Sequence, residues 1–293
     1  MFRSTRALVS IGILLPLFSY SQQKWKVQPL PVTTRWTNVV TPEKVLEEYP
    51  RPQLKRSNWK NLNGLWKYSV TDSASTTAGN CKDVILVPYP IESALSGVQK
   101  ALNPDKALWY KRTFNYKAVA KGKRVILNFG AVDQQAEVFV NKKLVGAHEG
   151  GYQAFSFDIT DALLAGKNEV LVKVLDATDA GYAPKGKQTL MPSGMYYTST
   201  SGIWQTVWLE EVPVVSISSL KMSPDLDRQQ LHVSVVSNVE LTKDYTIKTH
   251  ATWGGSEGAA SGMDLNIPAA HLWSPEDPFL YDMRVSLLYK GKV

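Results

Sequence analysis

Strict alternation of apolar and polar residues dominates two segments of this chain. Tyr, Ile, Thr, Ala and Trp occupy every second position from residue 245 to 253, and Tyr, Met, Val, Leu and Tyr do so from 281 to 289. Side chains point alternately to the two faces of a strand, so each segment has one face suited to a core and one suited to water. Strands of this kind predict an antiparallel β-sandwich.

Shorter strand patterns fill the part of the chain before residue 213. They cover Val125–Phe129, Ala136–Val140, Glu169–Leu175 and 205–210, and Gly, Asp and Asn separate them. Runs at helical spacing are scarce, and residues 158–164 are long enough for one or two helical turns only. The pattern predicts an all-β protein with a sandwich or barrel architecture.

One turn departs from the usual sequence preference. Asn141 and Lys142 separate two strand patterns. A two-residue type I′ turn favours Asn-Gly because both central residues need a positive φ. Since Lys142 stands where Gly is preferred, we expect a looser turn or a turn of another type.

The N-terminal residues have the layout of a signal peptide. Arg3 and Arg6 precede an apolar run over residues 7–18, and small and polar residues follow it. The run is shorter than the roughly 20 residues that span a bilayer. The single cysteine, Cys81, lies far from the run, so we expect no lipid anchor. Residues 1–21 are therefore predicted to be cleaved from a secreted or periplasmic protein that does not associate with a membrane.

Composition and charge exclude some function classes. The 293 residues are 44% apolar and 20% charged, as in ordinary globular proteins, and the length allows two units. The formal charge of +7 comes from scattered Lys and Arg residues. Nucleic-acid binding needs a basic stripe. We therefore expect no nucleic-acid partner.

Candidate catalytic and metal-binding residues are few. Glu210 and Glu211 are strand neighbours that point to opposite faces, and Asp158 and Asp161 suit the capping of a short helical turn. The remaining candidates lack the companion residues that their motifs need: Ser57 with Lys60, His148 with Glu149, and the lone thiol of Cys81. We predict no catalytic residue, no metal site and no cofactor in this chain.

Several segments, in the same order along the chain, resemble glycoside hydrolase family 2, the group of β-galactosidases, β-glucuronidases and β-mannosidases. The resemblance covers residues 51–293. The segments that carry it are Arg51-Pro52, Trp59–Trp66, Val87–Ser93, Leu108–Arg112, Phe129–Asp133, Val138–Asn141, Gly150–Tyr152, Phe157–Thr160, Ser201–Glu210, Trp273–Pro278 and Leu280-Tyr281.

The resemblance implies a domain organisation. An extended lead-in at 22–50 precedes a jelly-roll, galactose-binding-like sandwich at 51–211, and an immunoglobulin-like sandwich follows at 212–293. The second unit has about 80 residues, whereas such sandwiches usually need about 100, so we expect it to lack its last strand. The family's catalytic (β/α)₈ barrel, with its two glutamates, is expected to be absent.

The implied role is that of the non-catalytic front part of a secreted enzyme that hydrolyses a β-glycoside. Its partners would be the carbohydrate and a catalytic barrel, in cis or in trans. We expect the chain alone to be inactive. A stand-alone carbohydrate-binding protein, similar to a lectin, is the alternative.

A long segment, residues 176–200, is the candidate substrate site. Loops of this length between strands are uncommon unless they are functional. In the resembling enzymes the matching loop reaches toward the pocket of the barrel, so we predict substrate contacts from Asp179, Lys187, Gln188 and Tyr197. The competing interpretation is that the loop only packs on the barrel. The tryptophans inside strand patterns are predicted to build the core: Trp66, Trp109 and Trp208.

Overall fold

A computed structural model describes residues 25–30, 32–51, 53–253, 256–261 and 263–293. The predicted signal peptide lies outside these residues. Strands make up almost all of the regular structure, which confirms the prediction of an all-β protein. No helix in the described ranges is long and apolar enough to cross a membrane. The helical elements among the described residues are three 3₁₀ turns at Thr37–Val39, Ala94–Ser96 and Thr160–Ala162.

The first sandwich consists of a larger and a smaller antiparallel sheet. The larger sheet has the order β3-β2-β4-β10-β7-β8, and the smaller sheet has the order β1-β14-β5-β9. The larger sheet is formed by β2 (Gly64–Asp72), β3 (Asp83–Val87), β4 (Lys106–Tyr116), β7 (Gln135–Val140), β8 (Lys143–Glu149) and β10 (Gly166–Leu175). The smaller sheet is formed by β1 (Trp59–Asn61), β5 (Lys123–Phe129), β9 (Phe155–Asp158) and β14 (Val207–Pro213).

The core of the first sandwich lies between these two sheets. Alternate residues of β10 are buried, because Val170, Val172 and Val174 face the smaller sheet while the residues between them face outward. All three predicted core tryptophans are only 1 to 2% exposed, but of the three only Trp66 lies between the sheets. Trp109 and Trp208 follow residues that face the core, so they lie on the outer faces of their sheets, where they bond to Thr71 and Glu210. The strand predicted at 205–210 starts and ends later than expected, at Val207–Pro213.

Two pairs of short strands close one end of the first sandwich. β6 (Val132–Asp133) pairs antiparallel with β13 (Gly202–Ile203), and β11 (Gln188–Thr189) pairs parallel with β12 (Tyr197–Thr198). These short strands belong to the connections between sheet strands. They bring the residues on either side of the 176–200 loop together.

The second sandwich has two three-stranded sheets, with the orders β15-β16-β19 and β18-β17-β20. The alternation predicted for residues 245–253 is confirmed as far as residue 252, because Thr249 and Ala251 are buried while Thr246 and Thr252 are exposed. The alternation predicted for residues 281–289 is wrong at its end, where Leu288 of the predicted polar face is 5% exposed and Tyr289 is 47% exposed. The strands are β15 (Ile217–Asp225), β16 (Gln230–Ser237), β17 (Tyr245–Trp253), β18 (Ser256–Ser261), β19 (Asp264–Asn266) and β20 (Asp282–Tyr289).

The turn between β7 and β8 corrects our expectation. Asn141 and Lys142 both have positive φ, 49° and 70°, and Val140 pairs directly with Lys143. This is the two-residue connection that a type I′ turn makes, despite the lysine. The side chain of Asn141 holds the turn in place: its Nδ2 donates to Ala162 O at 2.8 Å, and its Oδ1 accepts from the amide of Glu169 at 2.9 Å.

Glu210 joins the lead-in to both sandwiches. It is 2% exposed and accepts hydrogen bonds from Tyr49 Oη at 2.6 Å and Trp208 Nε1 at 2.7 Å. Arg51 and Arg56 form ion pairs with it, and Arg56 also donates to the carbonyl of Ile217 in the second sandwich. Glu211, its neighbour, accepts instead from Asn58 and Tyr116, as expected for side chains on opposite faces.

Candidate functional site

The 176–200 loop leaves the end of β10 and returns to the chain just before β13. Outside the β11–β12 pair, its described backbone bonds are few and mostly local, from the amides of Ala180, Gln188, Tyr196 and Tyr197 to the carbonyls of Ala177, Lys185, Ser193 and Lys187. A loop with so few internal bonds needs other partners to keep one conformation. Those partners lie beneath it, at the end of the first sandwich.

Three buried carboxyl groups form the base of the loop. They belong to Glu92, in the connection after β3, Asp133, at the end of β6, and Asp176, directly after β10. Their exposed fractions are 7%, 5% and 5%. We refer to these three residues as the carboxyl cluster. Buried carboxylates are costly unless hydrogen bonds satisfy them, so the donors around the cluster decide what it does.

Ser201 connects two members of the carboxyl cluster. Its backbone N–H donates to Glu92 Oε2 at 2.9 Å, and its hydroxyl donates to Asp176 Oδ2 at 2.6 Å. Thr178 N donates to the other oxygen of Asp176 at 2.7 Å, and Ser199 Oγ donates to Glu92 Oε1 at 3.3 Å. Both ends of the loop are therefore bonded to the same carboxyl cluster.

Gln188 connects the middle of the loop to its base. Its side chain is buried, and its Oε1 accepts from the backbone amide of Thr200 at 2.6 Å. Its Nε2 donates to Tyr152 Oη at 3.1 Å and lies 3.4 Å from Asp133 Oδ2. Both the oxygen and the nitrogen of the Gln188 side-chain amide are therefore bonded to other groups of the protein.

Burial shifts the proton affinity of the carboxyl cluster. Desolvation, together with the negative charges of Asp176 and Glu92, raises the pKa of Asp133 to about 6, and the bond from Gln188 opposes this shift. Burial also raises the pKa of Glu92, against the bonds that Ser201 donates. Since like charges close together disfavour ionisation, a proton is held in the carboxyl cluster more tightly than by exposed carboxylates.

Two glycines let the backbone approach this cluster. A Cβ atom on Gly151 would lie 2.4 Å from Asp133 Oδ1. A Cβ atom on Gly202, whose φ is 89°, would lie 2.0 Å from Tyr110 Oη, which accepts the amide of Ile203 at 3.2 Å. Because both distances are far below contact distance, only glycine fits at these positions.

The outer side of the loop is exposed and rich in large apolar side chains. Tyr196 and Tyr197 are 51% and 55% exposed, and the other members exceed them. The set consists of Tyr182, Met191, Met195, Tyr196 and Tyr197. Flat aromatic faces beside polar groups suit both sugar rings and protein surfaces. The loop thus has a fixed inner side and an outer side available for contact.

The structure separates the four predicted substrate-binding residues. Lys187 and Tyr197 are on the exposed side of the loop. Asp179 is half-buried, and its Oδ2 accepts from Thr189 Oγ1 at 2.6 Å; this bond lowers the pKa of Asp179, and the charge of Lys185 adds to the effect. Gln188 faces inward, as described above. Two of the four are therefore available to a ligand, and the other two hold the loop.

The carboxyl cluster is not arranged for glycoside hydrolysis. Such hydrolysis needs two carboxyl groups that flank the bond to be broken, about 5 to 5.5 Å apart in retaining enzymes. Glu92, Asp133 and Asp176 are covered by the chain and bonded to its own donors. In the described ranges no group of three or more His, Cys, Asp or Glu side chains is placed to hold a metal ion. The cluster instead fixes the position of the loop.

Sequence reasoning did not identify the carboxyl cluster, although its members adjoin segments that it singled out. Asp133 ends the segment Phe129–Asp133, and Glu92 lies in Val87–Ser93. A usable signal was present, since both carboxylates follow directly on apolar residues. Their proximity in space could not be predicted from the sequence, because Glu92 and Asp176 are 84 positions apart in the chain.

Comparisons with known proteins agree with this architecture. The profile of "Glycosyl hydrolases family 2, sugar binding domain" matches residues 82–213, and that of "Glycosyl hydrolases family 2" matches residues 215–293. The two matches follow one another without overlap: the first begins after β1 and β2 and covers the rest of the first sandwich, and the second covers the second sandwich.

The relatives of similar sequence are named as β-glucuronidases and β-galactosidases. The chain is 31% identical over 219 residues to a β-glucuronidase of Bacteroides fragilis and 26% identical over 203 residues to a β-galactosidase of Thermoanaerobacter pseudethanolicus. These matches cover 65% and 63% of this chain but 29% and 26% of the relatives. The chain thus spans less than a third of the length of these relatives.

Solved structures share the fold. The match to a β-glucuronidase of Lactobacillus rhamnosus covers 84% of this chain and 44% of that protein's chain, with a TM-score of 0.65 and 24% identity. With two consecutive family profiles on its two sandwiches, the chain belongs to glycoside hydrolase family 2 and corresponds to the N-terminal domains of that family.

Proposed function

We propose that this chain is the non-catalytic N-terminal part of an exported family 2 glycosidase that hydrolyses a β-linked glycoside. The observation that carries the proposal is the 176–200 loop, whose inner side is bonded to the carboxyl cluster while its outer side exposes aromatic and apolar side chains. A rigidly held loop with a free outer side can shape a substrate site that another domain completes.

The roles of the predicted site residues follow from where they point. Lys187 and Tyr197 contact the substrate, because a lysine ammonium donates three hydrogen bonds and a tyrosine ring covers the apolar face of a sugar. Asp179 and Gln188 position the loop through Thr189 and Thr200. The relatives named as β-glucuronidases make a β-glucuronide the first substrate to test, and those named as β-galactosidases make a β-galactoside the second.

A chimera tests the loop's role. We would fuse this chain to the catalytic barrel of the Bacteroides fragilis β-glucuronidase and measure kcat and KM on p-nitrophenyl β-glucuronide and β-galactoside. Lys187→Ala and Tyr197→Ala are expected to raise KM by roughly tenfold each, as for lost polar and stacking contacts. The matched control is Lys121→Ala, a lysine equally exposed on the first sandwich. Unchanged KM and kcat in both loop variants would refute the proposed contacts.

The chain alone is expected to be inactive. Turnover of p-nitrophenyl β-glucuronide, β-galactoside or β-mannoside above the buffer rate would contradict its assignment as non-catalytic.

Export has its own test. A protein produced in a bacterial host with residues 1–21 intact should be recovered outside the cytoplasm with Gln22 at its N-terminus. Mass spectrometry that finds Met1 retained would contradict export.

A further inference from the structure

A basic groove lies on the outer face of the larger sheet of the first sandwich, the face directed away from the core. Its cavity is about 410 Å³. The walls include the apolar side chains of Leu65 and Val84. The charged groups that line it are Lys67, Lys111, Arg112, Lys167 and Glu169. Three lysines and one carboxylate project from this outer face, whereas Arg112 borders the groove but alternates to the face of Tyr110 and Phe114.

The register of the sheet places two of these cations against each other. Lys67 of β2 is directly opposite Lys111 of β4. Side chains at directly opposite positions of an antiparallel pair are close, about 4.5 to 5.5 Å between Cβ atoms, and like charges there destabilise the sheet. The single carboxylate, Glu169, pairs with Lys111 at 2.8 Å between Nζ and Oε2. This pair leaves Lys67 without an anion among the described residues.

Arg112 and Lys167 increase the excess of positive charge. Arg112 Nη1 donates to the carbonyl of Leu65 at 2.6 Å, and within the described chain no carboxylate contacts its guanidinium. Burial lowers the pKa of Arg112, because its charge is partly removed from water without a counterion. Lys167 is exposed and forms no ion pair with any described residue. An arginine in this state is a ready partner for an external carboxylate or sulfate.

We propose that the basic groove binds an acidic polysaccharide, with a carboxylate or sulfate group of the ligand between Lys67 and Lys111. The anion would neutralise the opposed lysines, and the apolar walls would contact the apolar face of the sugar ring. That the ligand is a carbohydrate rests on the proposed function; that it is an anion rests on the groove alone. Nucleic acid fits less well, since single strands bind by stacking on exposed aromatic rings, and the nearby Trp66 is only 1% exposed.

The test measures binding to the purified chain by isothermal titration calorimetry. Three probes separate the chemistry: polygalacturonate carries carboxylates, dextran sulfate carries sulfate esters, and dextran is neutral. The double variant Lys67→Gln/Lys111→Gln is expected to weaken binding of at least one anionic probe by tenfold or more. The matched control, Lys121→Gln/Lys221→Gln, removes the same charge from two exposed lysines outside the groove and should change affinity less than twofold.

A second variant should act in the opposite direction. Glu169→Gln removes the one carboxylate that competes for Lys111, so affinity for the anionic probe should rise several-fold. Binding by the unsubstituted chain should weaken as NaCl increases from 50 to 300 mM, because salt screens exposed charges. Whichever anionic probe shows both effects identifies the group that the groove recognises.

Three outcomes would overturn the proposal. They are absence of binding to both anionic probes, equal binding of dextran, and an equal loss of affinity in the control variant. Tight binding of a single-stranded oligonucleotide with the same dependence on Lys67 and Lys111 would overturn the assignment of a polysaccharide. A failure here would leave the proposed glycosidase role intact, because the groove shares no residue with the 176–200 loop.

Discussion

The two sandwiches follow the same alternating pattern but close their cores to different degrees. In the first, large side chains such as Trp66, Tyr110, Leu127 and Phe129 are at most 1% exposed. In the second, the buried apolar residues among those described are smaller and fewer, with half-buried neighbours: Val233, Ala251, Leu265, Ile267 and Leu288. Alternation therefore establishes which face of a strand is apolar, but not how completely that face is covered.

The second sandwich also has an open apolar cavity. It measures about 660 Å³ and is lined by residues that include Met222, Leu231 and Met283. Leu272 and Trp273 on its rim are 55% and 59% exposed. Because a side chain beside a cavity has lost packing partners on one side, we expect the second sandwich to be the less stable of the two. The following predictions test that difference, beginning with the largest effect.

Truncating one leucine in each core compares them directly. Leu127→Ala in the first sandwich should cost about 3 to 4 kcal/mol of unfolding free energy, since a cavity forms in a closed core. Leu265→Ala in the second should cost about 2 to 3 kcal/mol, because its smaller core can relax around the lost atoms. Urea titration gives both values, and hydrogen exchange shows where protection is lost. Equal losses of protection across both sandwiches in each variant would argue against separate cores.

Glu210 tests how strongly the second sandwich depends on the first. Glu210→Gln should cost about 2 to 3 kcal/mol, because it leaves Arg51 and Arg56 without their buried counter-charge. Since Arg56 also contacts Ile217, hydrogen exchange should increase in β15. The control is Asp72→Asn, which removes an exposed ion pair with Lys106 and should change stability far less. If Glu210→Gln were as stable as this control, Glu210 would not couple the second sandwich to the first.

The pH dependence should come from the first sandwich, where the carboxylates are buried. The pKa of Asp133 rises from 3.8 when unfolded to about 6 in the fold, so the folded chain binds this proton more tightly. Its contribution to stability is therefore complete below about pH 4 and is lost as pH rises through about 6.

Asp133→Asn should accordingly be more stable than the parent at pH 7.5, by about 1 to 2 kcal/mol after allowance for solvent screening. At pH 4 the two should be similar. Urea titrations at pH 4, 5.5 and 7.5 would show this. Asp282→Asn is the matched variant in the second sandwich, where the side chain is exposed, and it should show no such trend. A stability difference for Asp133→Asn that does not vary with pH would contradict the assignment.

The smallest effect concerns the turns. Lys142→Gly and Lys290→Gly replace residues with φ of 70° and 48°, in the first and second sandwich. Each should stabilise the chain by about 0.5 to 1 kcal/mol, because glycine adopts positive φ without the steric cost of a Cβ. Thermal unfolding measures the shift. Destabilisation by Lys142→Gly alone would show that the lysine side chain, rather than its backbone, stabilises the turn.

Much of the fold was predictable because it follows from local periodicity. The strands of both sandwiches and the burial of Trp66, Trp109 and Trp208 were expected, since alternation and large aromatics report on burial directly. The outer faces on which Trp109 and Trp208 are buried were not expected. The turn at Asn141 and Lys142 was not. The bonds that hold it involve Ala162 and Glu169, which are distant in sequence, and a propensity rule for two residues cannot include them.

Some features of the candidate site could likewise be predicted from the sequence, and others could not. The length of the 176–200 loop and the exposure of Lys187 and Tyr197 could be inferred from the sequence, because a long polar segment between strands lies on the surface. The inward direction of Gln188 could not, since it depends on Asp133 and Tyr152 arriving from other strands.

The strands, most of their apolar faces and the family to which the chain belongs follow from the order and spacing of nearby residues. Which distant polar groups meet depends on the tertiary fold. It brought Glu92, Asp133 and Asp176 under one loop and placed Lys67 opposite Lys111. The physical reason is that proximity across a sheet or between loops is set by register and packing, which no local pattern contains.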